Sequence, residues 1–192
     1  NDWATLGYSG PVGAASAVPL NVTNLTTAAA VSAGGSHSCA ALQNQTVQCW
    51  GQGIYGQLGA NLPSGNSSAI PLNVGGISTA IGIAAGGDFS CALLSGGGVK
   101  CWGRNDMGQL ADGTQSHRST PVAAVAFSER IVQIAAAVSH TCAVNDLGHV
   151  QCVGDNRNGQ LGTATRFDWR GDPAQGAVLT APVPAGATFM SA

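Results

Sequence analysis

Apolar residues occur along this chain in short runs rather than in long stripes. Residues 39–42 and 47–50 are brief stretches of β type, separated by the polar Gln43-Asn44-Gln45-Thr46. The matching separators further on are Ser95-Gly96-Gly97-Gly98 and Asn145-Asp146-Leu147-Gly148. They are rich in residues that tolerate a positive φ, as hairpin loops require. Residues 81–85 and 131–137 are more continuously apolar and predict a further strand buried on both faces. The longest apolar runs, 28–31 and 131–138 (the latter broken by Gln133), fall far short of the roughly 20 residues that cross a bilayer. No membrane span is expected.

These runs recur. Ser38-Cys39-Ala40, Ser90-Cys91-Ala92 and Thr141-Cys142-Ala143 lie 52 and then 51 residues apart. Cys49-Trp50-Gly51, Cys101-Trp102-Gly103 and Cys152-Val153-Gly154 keep the same phase, as do Gly56-Gln57-Leu58-Gly59, Gly108-Gln109-Leu110-Ala111 and Gly159-Gln160-Leu161-Gly162. Ala4-Thr5-Leu6-Gly7 is a degraded copy one phase earlier, and Pro19-Leu20 and Pro71-Leu72 also keep the period. Three unrelated signatures in fixed phase establish a repeat architecture. Four short strands per repeat predict an all-β fold, a partial β-propeller of about three and a half units of roughly 51 residues. The units fall near 1–52, 53–104, 105–155 and an incomplete 156–192, in a single array over 1–192.

The string Gly34-Gly35-Ser36-His37-Ser38-Cys39-Ala40, then Cys49-Trp50-Gly51, Gly56-Gln57-Leu58-Gly59 and Pro71, resembles the repeats of the regulator of chromosome condensation family. The resemblance implies a β-propeller, seven-bladed in typical members. It does not imply one activity, since the family includes guanine-nucleotide exchange factors, a plant ultraviolet receptor, a β-lactamase inhibitor and many extracellular proteins. Ala136-Ala137-Val138 lacks the Gly pair, Val153 replaces the Trp, and about ten extra residues lie between Leu161 and Pro182. Seven blades of fifty residues would need about 350 residues. The chain is therefore expected to be a piece of a longer one, or to dock its open ends on other subunits or copies, or to be a loosely capped arc. No basic, apolar leader opens the sequence, which starts at Asn1.

All six cysteines fall into three C-x9-C pairs, Cys39/Cys49, Cys91/Cys101 and Cys142/Cys152. If each pair flanks a hairpin, its sulfurs face each other on adjacent strands, close enough to bond. Three disulfides would suit an oxidising, extracellular compartment. Buried free thiols and zinc are the alternatives. The first repeat offers His37-Ser38-Cys39 and the third His140-Thr141-Cys142, but Phe89 stands at that phase in the second, and the spacing is unlike common zinc sites. Four sequons, at Asn21, Asn24, Asn44 and Asn66, are candidates for N-glycosylation, with Asn44 on an expected hairpin loop.

Composition narrows function. Charged residues make up 8% of the 192, with a net charge of −2. No cationic cluster suits nucleic acid, and none is expected as a partner. No nucleophile elbow, phosphate loop or zinc-protease helix motif is present, so no catalytic, cofactor or metal residue is expected. His37 and His140 share a phase, which predicts a structural hydrogen-bonding role. Asp106 and Asp155 follow the Trp/Val-Gly positions and are expected to gather on one rim. Trp50 and Trp102 share a phase and are expected to pack between blades. Arg166, Phe167, Trp169 and Arg170 form the most charged and aromatic stretch, in the extra loop, and are candidate partner-binding residues. The sequence reads as a secreted, non-enzymatic interaction or structural module. Its expected partners are other subunits or copies of itself at the open ends, and extracellular glycans. The competing readings are a guanine-nucleotide exchange factor-like binder of a small GTPase, which only the resemblance implies, and a glycan-binding module.

Overall fold

A computed structural model describes residues 6–7, 15–62 and 66–162. Among them are eleven strands in three antiparallel sheets. The first sheet runs β1 (Ala28–Ala33), β2 (His37–Leu42), β3 (Val47–Gly51), β4 (Ser68–Asn73). The second repeats it with β5 (Ala80–Ala85), β6 (Phe89–Leu94), β7 (Val99–Gly103) and β8 (Arg118–Ala123). The third comprises β9 (Ile131–Ala136), β10 (His140–Asn145) and β11 (Val150–Gly154). Each sheet is a meander, and β5 packs against β1, β2 and β9. The array is a partial β-propeller whose blades begin at their inner strands.

Period-two alternation gives each blade two apolar faces. Cys39, Ala41, Val47 and Cys49 on one face of the first blade meet Ala80, Ala92 and Trp102 of the second. Leu58, Val74 and Ile77, from the connections after β3 and β4, complete that core. One phase on, Cys91, Leu93, Val99 and Cys101 meet Ala143 of the third blade, with Leu110, Ala111 and Ala124 in the same cluster. The opposite face of the first blade, Ala40, Leu42 and Trp50, is covered by Val22 and Leu25. Small side chains between sheets allow this approach. A Cβ added to Gly34 would lie 2.3 Å from the Gly86 carbonyl oxygen, and one added to Gly86 would lie 2.5 Å from that of Ala137.

One expectation is corrected. The strand foreseen at 81–85 and 131–137 was expected to be buried on both faces, but the second strand of the first blade is the more enclosed element: β2 is buried throughout. In β5, Ile81 is 55% exposed, and Val132 of β9 is 46% exposed. These strands sit at the inner edge, with a hydrogen-bonded neighbour on one side only, so some of their apolar surface has no sheet against it.

Candidate interaction surface

The register places Cys39 opposite Cys49, Cys91 opposite Cys101, and Cys142 opposite Cys152. Each pair is bonded, with Cα atoms 4.1 Å apart. That spacing is near the roughly 4.5 Å of the closer antiparallel pair type, where side chains approach best. With the sulfurs spent on one another, the thiol and zinc alternatives fall away. Among the described residues, no group of three or more His, Cys, Asp or Glu is placed to hold a metal ion.

Meander topology sends the connections after β1, β3, β5, β7 and β9 to one end of the sheets, where the polar side chains gather. Asn105, fully buried, organises the loop between β7 and β8. Its Nδ2 donates to Asp112 Oδ1 at 3.0 Å and to the Thr114 carbonyl at 2.9 Å, while its Oδ1 accepts from Leu110 N at 2.9 Å. Its backbone N–H donates to His117 Nδ1 at 3.0 Å, which leaves the ring proton on Nε2. Asn156 repeats the device by accepting from Leu161 N at 3.0 Å. In the first blade the position is Gly53, and a Cβ there would collide with the Asn66 carbonyl oxygen.

Above this frame Arg104 grips Asp106 with two bonds, Nε to Oδ1 at 3.0 Å and Nη2 to Oδ2 at 2.7 Å, and reaches Asp88 at 3.4 Å. Its guanidinium lies 5.1 Å from the Tyr55 ring centre, and Tyr55 meets His117 edge-on at 5.2 Å. Burial, the largest single influence, would raise the Asp106 carboxyl, but the hydrogen bonds and charge of Arg104, together with hydrogen bonds from Gln109 and the backbone, hold the group below the usual carboxylate range. Asp155 is held low chiefly by its bonds to Arg157. The rim is thus a set of closed ion pairs, Arg118–Asp112 included, joined across two blades by Tyr55. It offers shape and aromatic edge rather than a free charge.

The foreseen residues are distributed unevenly. His37 and His140 do not share a role. His37 is buried and bonds Ser90 Oγ through Nε2 at 2.8 Å, whereas His140 is half-buried. Trp102 packs between blades as expected, whereas Trp50 packs within the first blade under Val22 and Leu25 of the segment before β1. Asp106 and Asp155 both lie at the loop end, each tied to its own arginine. Asn21, Asn24, Asn44 and Asn66 are all exposed. Arg166, Phe167, Trp169 and Arg170 lie outside the described residues. The Arg104–Tyr55–His117 cluster was not foreseen, because its members come from two repeats at unmatched phases. Asn105 and Asn156, which share a phase, were the signal that could have pointed to this end.

The Regulator of chromosome condensation (RCC1) repeat is matched over residues 46–93 and 97–144, and in a second form over 28–57, 80–109 and 131–160. This chain belongs to the RCC1 repeat family. Its blades therefore correspond to RCC1 repeats offset from the sheet boundaries, since the 46–93 match begins in the first blade and ends in β6. The ultraviolet-B receptor UVR8 of Arabidopsis thaliana is 40% identical over 140 residues, covering 72% of this chain and 32% of the receptor. The human probable E3 ubiquitin-protein ligase HERC4 is 34% identical over 153 residues, 76% of this chain and 14% of the ligase. Among solved structures, Prp20p of Saccharomyces cerevisiae superposes with a TM-score of 0.71 at 19% identity, over 86% of this chain and 42% of that one. Human WBSCR16 superposes at 0.69 with 24% identity, over 80% of this chain and 40% of that one. This RCC1 chain spans a third or less of the length of these curated relatives.

Proposed function

We propose that this RCC1 array is a non-enzymatic interaction module of an oxidising, extracellular setting, in which disulfide-stapled blades hold recognition loops rigid. The observation that carries the reading is the recurrence of one cross-strand disulfide at the same register in three successive blades. Such bonds persist where thiols are not kept reduced, and each would add about 2–3 kcal/mol to a scaffold with small core side chains. Protein binding by RCC1 propellers has precedent in Prp20p, described for its binding to Gsp1p and histones. The recognition residues are Arg166, Phe167, Trp169 and Arg170 of the extra loop, and the partners are other subunits, copies of this chain at the open ends, or extracellular glycans. Asn21, Asn24, Asn44 and Asn66 are the glycosylation sites of this reading. Asn44, exposed on the connection between β2 and β3, is the best placed.

The test is to follow the tagged chain, with its natural flanking sequence, in its own cells. The reading expects it outside the cytosol, and in a eukaryote carrying N-glycan on at least one sequon. Retention in the cytosol without modification would overturn the secreted role. Replacing Trp169 and Arg170 by Ala should then weaken capture of copies or subunits, and unchanged capture would remove the loop from the recognition surface.

A further inference from the structure

The turn that holds Leu6, Leu58 or Leu110 closes on a residue at positive φ: Gly7 at +70°, Gly59 at +65° and Ala111 at +58°. The carbonyl of that residue accepts from the next connection in all three, from Thr23 N at 2.8 Å, Gly75 N at 3.3 Å and Ala126 N at 3.0 Å. The turn is thus conserved in shape, and Ala111 adopts a backbone conformation in which a Cβ is crowded. The other non-glycine residues at positive φ among the described ones, Asn24, Gln45 and Asn61, are polar and exposed, whereas Ala111 is buried.

The surroundings of the turn change with it. A Cβ added to Gly59 would lie 2.8 Å from Trp102 Nε1 of the following blade and 2.8 Å from Val74 Cγ1. One added to Gly7 would lie 2.7 Å from Trp50 Nε1 and 2.8 Å from Val22 Cγ1. A tryptophan and a valine together exclude a methyl group from both turns. Beside Ala111 both neighbours are smaller: Val153 stands in phase with Trp50 and Trp102, and Ala124 in phase with Val22 and Val74. The backbone confirms the second equivalence, since Val74 N donates to the Val47 carbonyl at 2.9 Å and Ala124 N to that of Val99, one repeat on, at 3.0 Å. Ala111 and Ala124 are buried in the core between the second and third blades, and Val153 packs against that core. Every member of this set lies at a joint whose two blades are both described.

We propose that Gly59–Val74–Trp102 and Ala111–Ala124–Val153 are matched sets that determine which blade docks on which, the second set being the specificity-determining residues of the joint between the second and third blades. A blade that carries the tryptophan is refused by the Ala111 turn, because the methyl stands where the indole must lie. A blade that carries valine is a poor fit to the Gly59 turn. It leaves a void in place of the indole and strips the Gln57 carbonyl of the donor that Trp102 Nε1 supplies at 2.9 Å. Both mismatches are unfavourable, so the order of these blades is specified by their joints. In an array of near-identical hairpins this opposes docking out of order, within one chain or by exchange of a blade between copies.

The test is a set of thermal midpoints on the full chain. Val153→Trp alone should lower the midpoint by about 3–10 °C through overpacking. Ala111→Gly should raise the midpoint of the Val153→Trp chain by several degrees more than it raises that of the native chain. Relief of the backbone is common to both and cancels in the comparison. Ala124→Val should stabilise the chain that already carries both changes and destabilise the one that keeps Ala111. The reciprocal set at the first joint decides the matter if Val153→Trp does not fold. Gly59→Ala should cost more than Gly76→Ala, whose φ of +70° is alike but whose added Cβ meets nothing within 4 Å. Trp102→Val should cost less in the Gly59→Ala chain than in the native one. Additive midpoints in the set that folds, or equal costs for Gly59→Ala and Gly76→Ala, would overturn the matched joints.

Discussion

The indole Nε1 of Trp102 donates to the backbone carbonyl of Gln57, 2.9 Å away and 45 residues earlier in the chain. The same carbonyl accepts from Ser90 Oγ at 3.2 Å, so the turn after β3 of one blade is clamped by two side chains of the next. At the following joint Thr141 Oγ1 donates to the Gln109 carbonyl at 2.8 Å, and Val153 stands where the indole would be. Half of the clamp is therefore dispensable in this fold, and the packing is not. Trp102→Phe should cost about 1–3 kcal/mol in urea unfolding, through the lost donor. Trp102→Ala should cost about 3–5 kcal/mol, through the cavity. Equal costs for the two would contradict this division.

His37 gives the blade joint a pH dependence. Burial holds its pKa down at about 4, from an ordinary 6.5. Its Nε2 bonds Ser90, and burial of the ring outweighs a backbone hydrogen bond at Phe89 that acts to raise the value. Between those two values the unfolded chain binds more protons than the folded one. Stability must then fall as pH drops from about 6.5 towards about 4, by up to about 1.4 kcal/mol per pH unit. His140, also lowered by burial, adds to the same trend. The Asp112 and Asp155 carboxyls, both held low, are lost as stabilisers only at more acid pH. Phe89 occupies the phase of His37 in the second blade. His37→Phe should accordingly flatten the slope in that window, measured by denaturant midpoints at several pH values, and an unchanged slope would exclude His37 as its source.

Two glycines separate backbone contact from loop freedom. A Cβ on Gly86 would meet the Phe89 ring at 2.2 Å and the Ala137 carbonyl oxygen at 2.5 Å, whereas one on Gly96 would meet nothing within 4 Å. Gly86→Ala should destabilise by about 1–3 kcal/mol. Gly96→Ala should be neutral or stabilising by a few tenths to about 1 kcal/mol. Thermal midpoints of the two variants check the contrast.

Asn105 is the pin of the rim. Asn105→Ala removes the acceptor for Leu110 N and leaves the Thr114 carbonyl without its Nδ2 donor, in a buried setting. A loss of about 1–3 kcal/mol is expected. Faster amide exchange at Leu110 should accompany it, with exchange in β5 unchanged. Exchange rising equally in both would mean that the residue supports the whole array.

Much of this fold was legible in the sequence, because a repeat writes its own register several times over. Cys39 and Cys49 in constant phase with Trp50 and Gln57 located the hairpin, the bridge and the turn together. Strand burial was less legible. An apolar run such as Ile81–Ala85 signals a strand but not whether it lies at the middle or the inner edge of its sheet. The rim was the least legible region. Arg104, Tyr55 and His117 meet only because two loops of different composition lie side by side, and no periodicity within one repeat encodes that meeting. His37 and His140 illustrate the converse. They share a phase, yet Ser90 of a following blade bonds one of them, and no described blade follows the other.

The scaffold depends on sulfur bonded to sulfur within each blade. Alkylation of the chain as isolated from its natural source, in denaturant and without reductant, reads this directly. Three intact bridges give no label before reduction and six after it, one for each cysteine of the sequence. Six labels before reduction would contradict it.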